Sequence, residues 1–168
     1  MGRLRHRTSK GCTYFVTTKT WENRAIFQAK DIAEILISCL TSYQEKDAFL
    51  LHEFVVMPNH LHVLVTVPEE MTVEKAMQLI KGGFSFRAGK ELGFHGEIWQ
   101  RGFSDVRISD DLSFSQHRAY IDGNPVKAGL ADAPGRYPYC STFLKEQKRR
   151  KVERKSESAG GEDSDFST

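Results

Sequence analysis

The spacing of apolar positions changes along this chain, and each change marks an element. Thr13 to Thr18, "TYFVTT", is β-branched and aromatic and lies between Gly11 and the polar "KTWENR", which predicts a first strand. From Asp31 to Tyr43 the apolar residues Ile32, Ile35, Leu36, Cys39, Leu40 and Tyr43 recur every three or four positions, the period of an amphipathic helix. Phe49 to Met57 and Leu61 to Val67 are two apolar runs split by Pro58-Asn59, which predicts an antiparallel hairpin. Beyond Pro68, Thr72 can cap a helix carrying Val73, Ala76, Met77, Ile80 and Phe84 on one face, weakened at Gly82-Gly83.

The stretch "EIWQRGFSDVRI" fits a short strand or an irregular crossing back to the sheet. Ser109 or Asp110 then caps a last helix running to about Gly123, with Pro125 as its stop. The order β, α, β, β, α, β, α predicts an α+β fold: a ferredoxin-like, split-βαβ antiparallel sheet with helices packed on one face. Residues 1–145 are expected to form one domain with a basic N-terminal arm, and 146–168 a basic, then acidic, disordered tail.

Charge changes this picture mainly by its distribution. The net charge is only +2, but Met1 to Lys30 holds seven Lys or Arg against the single acid Glu22, and Lys145 to Lys155 holds seven against Glu146 and Glu153. Such blocks are either solvated faces or phosphate contacts. Cys12, Cys39 and Cys140 are odd in number and scattered, with no zinc-type spacing, and read as reduced packing residues. No apolar run is long enough to span a bilayer and no signal peptide is evident, so a soluble, intracellular protein is expected.

The candidate chemistry lies in "MPNHLHVLV". Alternation along a strand puts His60 and His62 on one face and Leu61, Val63 and Val65 on the other. Two adjacent imidazoles either find partners of their own or share a divalent cation, which removes both the desolvation and the like-charge cost. On the last helix Tyr120 and Asn124 are four apart and share a side, with Gln116 and His117 a turn before. By themselves Tyr120 also fits an amphipathic surface position and Asn124 an Asn-Pro terminator.

"MPNHLHVLV", "IWQRGF" and "YIDGNPVKAGL", in that order, resemble the single-tyrosine HUH transposases and, within them, the REP-associated tyrosine transposases. The likeness spans about Thr13 to Ser141. It implies an HUH endonuclease fold with His60, His62 and Asn124 holding Mg²⁺ or Mn²⁺ and Tyr120 as nucleophile. It also implies a single-strand DNA endonuclease and strand transferase that cleaves at or near palindromic hairpins through a covalent 5′-phosphotyrosine intermediate. Phenoxide is a better leaving group than an alkoxide, so such a linkage is reversible, while the cation offsets charge on the phosphoryl oxygens. Imidazoles favour softer ions whereas phosphate oxygens and a carboxamide suit Mg²⁺ or Mn²⁺, so the mixed set tilts toward Mn²⁺ with Mg²⁺ workable. His117 could assist proton removal, and Glu53 could approach the histidines through hairpin pairing.

For DNA contacts the expected residues are Arg3, Arg5, Arg7 and Lys10 in the arm, Arg87, Arg101 and Arg107 among interleaved aromatics, and Lys127 past the helix end. The resemblance implies a cytoplasmic, nucleoid-associated protein whose partner is single-stranded DNA with hairpin elements; monomer and homodimer both stay open. A non-catalytic DNA- or RNA-hairpin-binding module on the same fold is the competing reading, distinguished by whether a tyrosine–DNA adduct forms.

Overall fold

The computed structural model of the 168-residue chain describes residues 11–159. Strands β1 (Cys12–Lys19), β2 (Leu50–Met57), β3 (His60–Val67) and β4 (Ser104–Ile108) form one antiparallel sheet in the order β2-β3-β1-β4. Helices α1 (Lys30–Glu45), α2 (Val73–Leu92), α3 (Asp111–Lys127) and α4 (Ser141–Ala159) surround it. This is the split-βαβ arrangement: β1 and β2 run parallel but are separated by β3, which returns from β2 through the two-residue turn Pro58-Asn59.

The helices occupy both faces of the sheet, not one. Val16, Phe54, Val56, Leu61, Val63 and Val65 pack with Leu36, Leu40, Met77, Ile80 and Phe84 of α1 and α2. On the other face Val55, Met57 and Leu64 pack with Ile121 of α3, Tyr137 and Cys140, flanked by Phe15 and Phe114. The stripe of α3 was too narrow to announce this, since its buried positions are only Ile121 and Pro125.

Three helix boundaries differ from expectation for identifiable reasons. α2 continues through Gly82-Gly83, because a Cβ at Gly83 would collide with the Tyr43 hydroxyl and the glycine lets α1 and α2 approach. α3 is capped by Asp110, whose Oδ1 accepts from Ser113 N at 2.7 Å, and continues past Gly123 and Pro125 to Lys127. Pro125 and Ile121 are both buried one turn apart, and that packing offsets the missing proline donor. Finally, the segment from 146, expected to be a disordered tail, is helical as far as Ala159.

Phe84 and Trp99, two of the aromatics interleaved with Arg87 and Arg101, belong to a buried cluster with Phe27, at centroid separations of 5.5–5.6 Å. Glu53 serves the fold rather than the histidines. It is 2% exposed, and its Oε1 lies 3.1 Å from Arg118 Nε of α3 and 2.8 Å from Lys145 Nζ of α4. Its Oε2 accepts from the Ser141 hydroxyl. Both cations are more than half exposed and can re-solvate, so Glu53→Gln is expected to cost only about 1–2 kcal/mol, read by urea denaturation.

Candidate active site

The face of the sheet that meets α3 carries His60, His62 and Leu64 from β3. Beside them in register stand Lys19, Thr17 and Phe15 of β1. The two imidazole centroids are 4.7 Å apart, with the rings nearly perpendicular. Each ring is anchored at Nδ1. His60 Nδ1 donates to Asn59 Oδ1 at 2.7 Å, which leaves its lone pair at Nε2. His62 Nδ1 lies 2.7 Å from Thr17 Oγ1, while the Asn124 amide nitrogen donates toward His62 Nε2 at 3.5 Å. The same tautomer follows: Nδ1–H toward threonine, the Nε2 lone pair toward Asn124 of α3.

Burial, reinforced by the neighbouring His60 and by the Lys19 charge, pushes His62 down to about 3; His62 is only 5% exposed. Burial and Lys19 lower His60 as well. Both rings are therefore neutral near pH 7, the state that ligates metal. Below pH 6.5 the unfolded chain takes up a proton that folded His62 refuses, so the unfolded state is favoured progressively as pH falls toward about 3. The expected loss is on the order of a few kcal/mol, checked by denaturation at stepped pH, with His62→Gln flattening the decline.

Tyr120 and Asn124 come to this face because α3 stays helical through the Asn-Pro step. The Tyr120 ring stands edge-on to His62 at 5.4 Å and to Phe15 at 5.8 Å, and Tyr120 remains 48% exposed. Phe15 is the shared floor, stacked on His62 at 5.3 Å and tilted against His117 at 4.8 Å. His117 Nδ1 donates to the Ser113 carbonyl at 2.7 Å, so its helix fixes its orientation. Over these groups opens a cleft of about 440 Å³ lined by Thr17, Lys19, Asn23, Asn59, His60, His62, Ser104 and Tyr120. The buried His62 and half-buried His60, both neutral, thus meet an accessible phenol at one open cleft.

The proposed DNA-contact residues divide. Arg101 lies on the loop beside Lys19 and Ser104, and the Lys81 ammonium fixes that loop by donating to the Gln100 and Gly102 carbonyls, both at 2.9 Å. Lys127 is exposed at the end of α3, within a turn of Asn124. Arg87 lies instead on α2, ion-paired with Glu91 at 2.7 Å and donating to Ser38 of α1. Arg107 pairs in register with Tyr14, on the face away from the histidines. Arg3, Arg5, Arg7 and Lys10 lie outside the described residues.

Sequence reasoning missed Lys19, Thr17 and Asn59. Alternation of "TYFVTTK" already set Phe15, Thr17 and Lys19 on one face; the absent signal was the register that sets that face beside the histidines. Among the described residues no three His, Cys, Asp or Glu side chains cluster. The donors at hand are the Nε2 atoms of His60 and His62 and the half-buried Asn124 carboxamide beside His62, a set that fits a divalent cation completed by water or phosphate oxygens.

A ferredoxin-like sheet whose inner strand presents a histidine pair to a helix-borne tyrosine defines the single-tyrosine HUH class. The chain belongs to the family described as "Transposase IS200 like", whose family model matches residues 8–124. It is 27% identical over 150 residues to a REP-associated tyrosine transposase of Escherichia coli, covering 89% of this chain and 87% of that one. The solved structure of a REP-associated tyrosine transposase bound to a REP hairpin matches with TM-score 0.69 at 25% identity, over 89% of this chain and 87% of the other. A crystal structure from Deinococcus radiodurans shares the fold with TM-score 0.51 at 17% identity, over 73% and 97% respectively. No helix among the described residues is long and apolar enough to cross a membrane.

Proposed function

We propose that this transposase-family protein cleaves and rejoins single-stranded DNA at or near palindromic hairpins, with Tyr120 as nucleophile. The observation that carries the proposal is the meeting of the half-exposed Tyr120 ring and the neutral His62 ring, 5.4 Å apart, over one open cleft, with the Asn124 carboxamide beside His62. A relative whose solved structure holds a REP hairpin supports the substrate class.

In the forward step Tyr120 Oη forms a bond to phosphorus and the bond from phosphorus to the 3′ oxygen breaks. The phenolic proton leaves through solvent in the cleft, and the departing 3′ oxygen takes up a proton from the same solvent, so the released strand ends in a 3′-hydroxyl. The return attack of that hydroxyl restores the diester and the phenol, so no external energy source is consumed. Phe15 and His62 hold the tyrosine ring by edge contacts, and Lys19 and Arg101 supply positive charge along the path of the backbone. His60, His62 and Asn124 would hold Mg²⁺ or Mn²⁺, which when bound would offset charge on the phosphoryl oxygens.

Incubation with an end-labelled hairpin oligonucleotide and a divalent cation, followed by denaturing electrophoresis, tests the proposal. A covalent protein–DNA species that disappears with chelator is the expected result. Binding of the hairpin with no covalent species under any cation would favour the non-catalytic binding module.

A further inference from the structure

The charges of α4 are sorted. Glu146 and Glu153 share one stripe with Arg149 and Arg150, and these four neutralise one another through contacts at 2.8, 3.1 and 3.8 Å. Lys148, Lys151 and Lys155, spaced three and four apart, form the opposite stripe, and among the described residues they meet no acid. The first turn of this helix is packed, through Ser141 and Leu144, whereas every residue from Lys148 through Ser158 is exposed.

A helix that is polar all round and stands off the body has no packing to stabilise it, so its order rests on its own ion pairs and on whatever it meets. The lysine stripe also edges a groove of about 370 Å³ between α4, α1 and the edge strand β2. Ile37, Thr41, Leu51, Lys145, Lys148 and Lys151 line it, with Glu45 its one acid.

We infer that the lysine face of α4 is a docking surface for the phosphate backbone of a nucleic-acid duplex, namely the stem of the hairpin substrate. This deepens the hairpin-directed reading above and rests on it. Charge complementarity selects phosphate. Duplex rather than single strand follows from composition: beyond Phe143 the helix carries no aromatic side chain on which a base could stack. A membrane surface is disfavoured because within α4 Val152 is the only large apolar residue after Leu144, too little for an amphipathic face. Lys148 to Lys155 covers about 10 Å of helix axis, which is about three base-pair steps of a duplex strand. Contacts of this kind position a stem without reading its sequence.

The test is the salt dependence of binding by the full-length chain to labelled hairpins of short and long stem, followed by fluorescence anisotropy. The triple variant Lys148→Gln, Lys151→Gln, Lys155→Gln is expected to lower the log–log salt slope on the long stem by about 2–3, at about 0.9 per lost phosphate contact. The same variant should leave the short stem and an unpaired strand unchanged. Arg149→Gln with Arg150→Gln, on the self-neutralised face, should leave the slope alone. Lysine-to-arginine substitution at the three positions should keep it, which separates loss of charge from loss of helix.

An unchanged slope in the glutamine variant, or an equal loss from the arginine face, would overturn the inference. Loss of binding to anionic phospholipid vesicles without a change on DNA would overturn it as well. Adduct formation on the short-stem hairpin is read in the same samples and reports on the transposase reading alone, so failure of one is distinguishable from failure of the other.

Discussion

Tyr120→Phe is expected to lower formation of the covalent protein–DNA species by on the order of 10³-fold or more, because it deletes the one oxygen that would bond to phosphorus. The ring survives, and with it the edge contacts to His62 and Phe15. Since the side chain is half exposed, stability should move by no more than about 0.5 kcal/mol. Hairpin affinity should hold within about twofold, because no other contact is altered. Quantitative gel analysis of adduct alongside anisotropy of binding separates the two effects. Full cleavage by the phenylalanine variant would mean that the nucleophile lies elsewhere.

His60→Ala carries the second largest expected effect. His60 offers Nε2 to the cleft while Asn59 holds its Nδ1. Its removal leaves one imidazole and one carboxamide, too few to keep a divalent cation against water. Cleavage should fall by roughly 100-fold or more, with partial recovery as Mn²⁺ is raised, while hairpin binding stays largely intact. The readout is cleavage per bound complex across a cation titration. Loss of binding with unchanged cleavage per complex would assign His60 to substrate contact and not to a cation.

Much of the arrangement is written in local patterns. Period-two alternation is enough to aim His60 and His62 at one face, and period 3.6 is enough to stack Tyr120 on Asn124; these rules are short-range and survive folding intact. What the two pairs face depends on register and on which side α3 packs. That side is decided by the burial of Ile121 against Leu64 and Val55, contacts between residues far apart in sequence. For the same reason Lys19 was invisible as a cleft residue, since its partnership with His60 exists only once β1 pairs with β3.

α4 was misread for a different reason. Its composition resembles a disordered tail, yet its ion pairs at three- and four-residue spacing hold it as a helix once Ser141 and Leu144 anchor the first turn. The weak Gly82-Gly83 step likewise has its reason outside α2, in the close approach of Tyr43.

The claim on which the mechanism depends is that the phenol beside the paired imidazoles is the atom that bonds to DNA. Proteolysis of the adduct formed on a hairpin oligonucleotide, with mass spectrometry of the DNA-linked peptide, tests it most directly. Tyr14, Tyr43, Tyr137 and Tyr139 serve as internal controls in the same chain. The expected result is a 5′-phosphate linked to Tyr120 alone; linkage to any of the other four, or DNA cleavage that proceeds with no linked peptide, would contradict it.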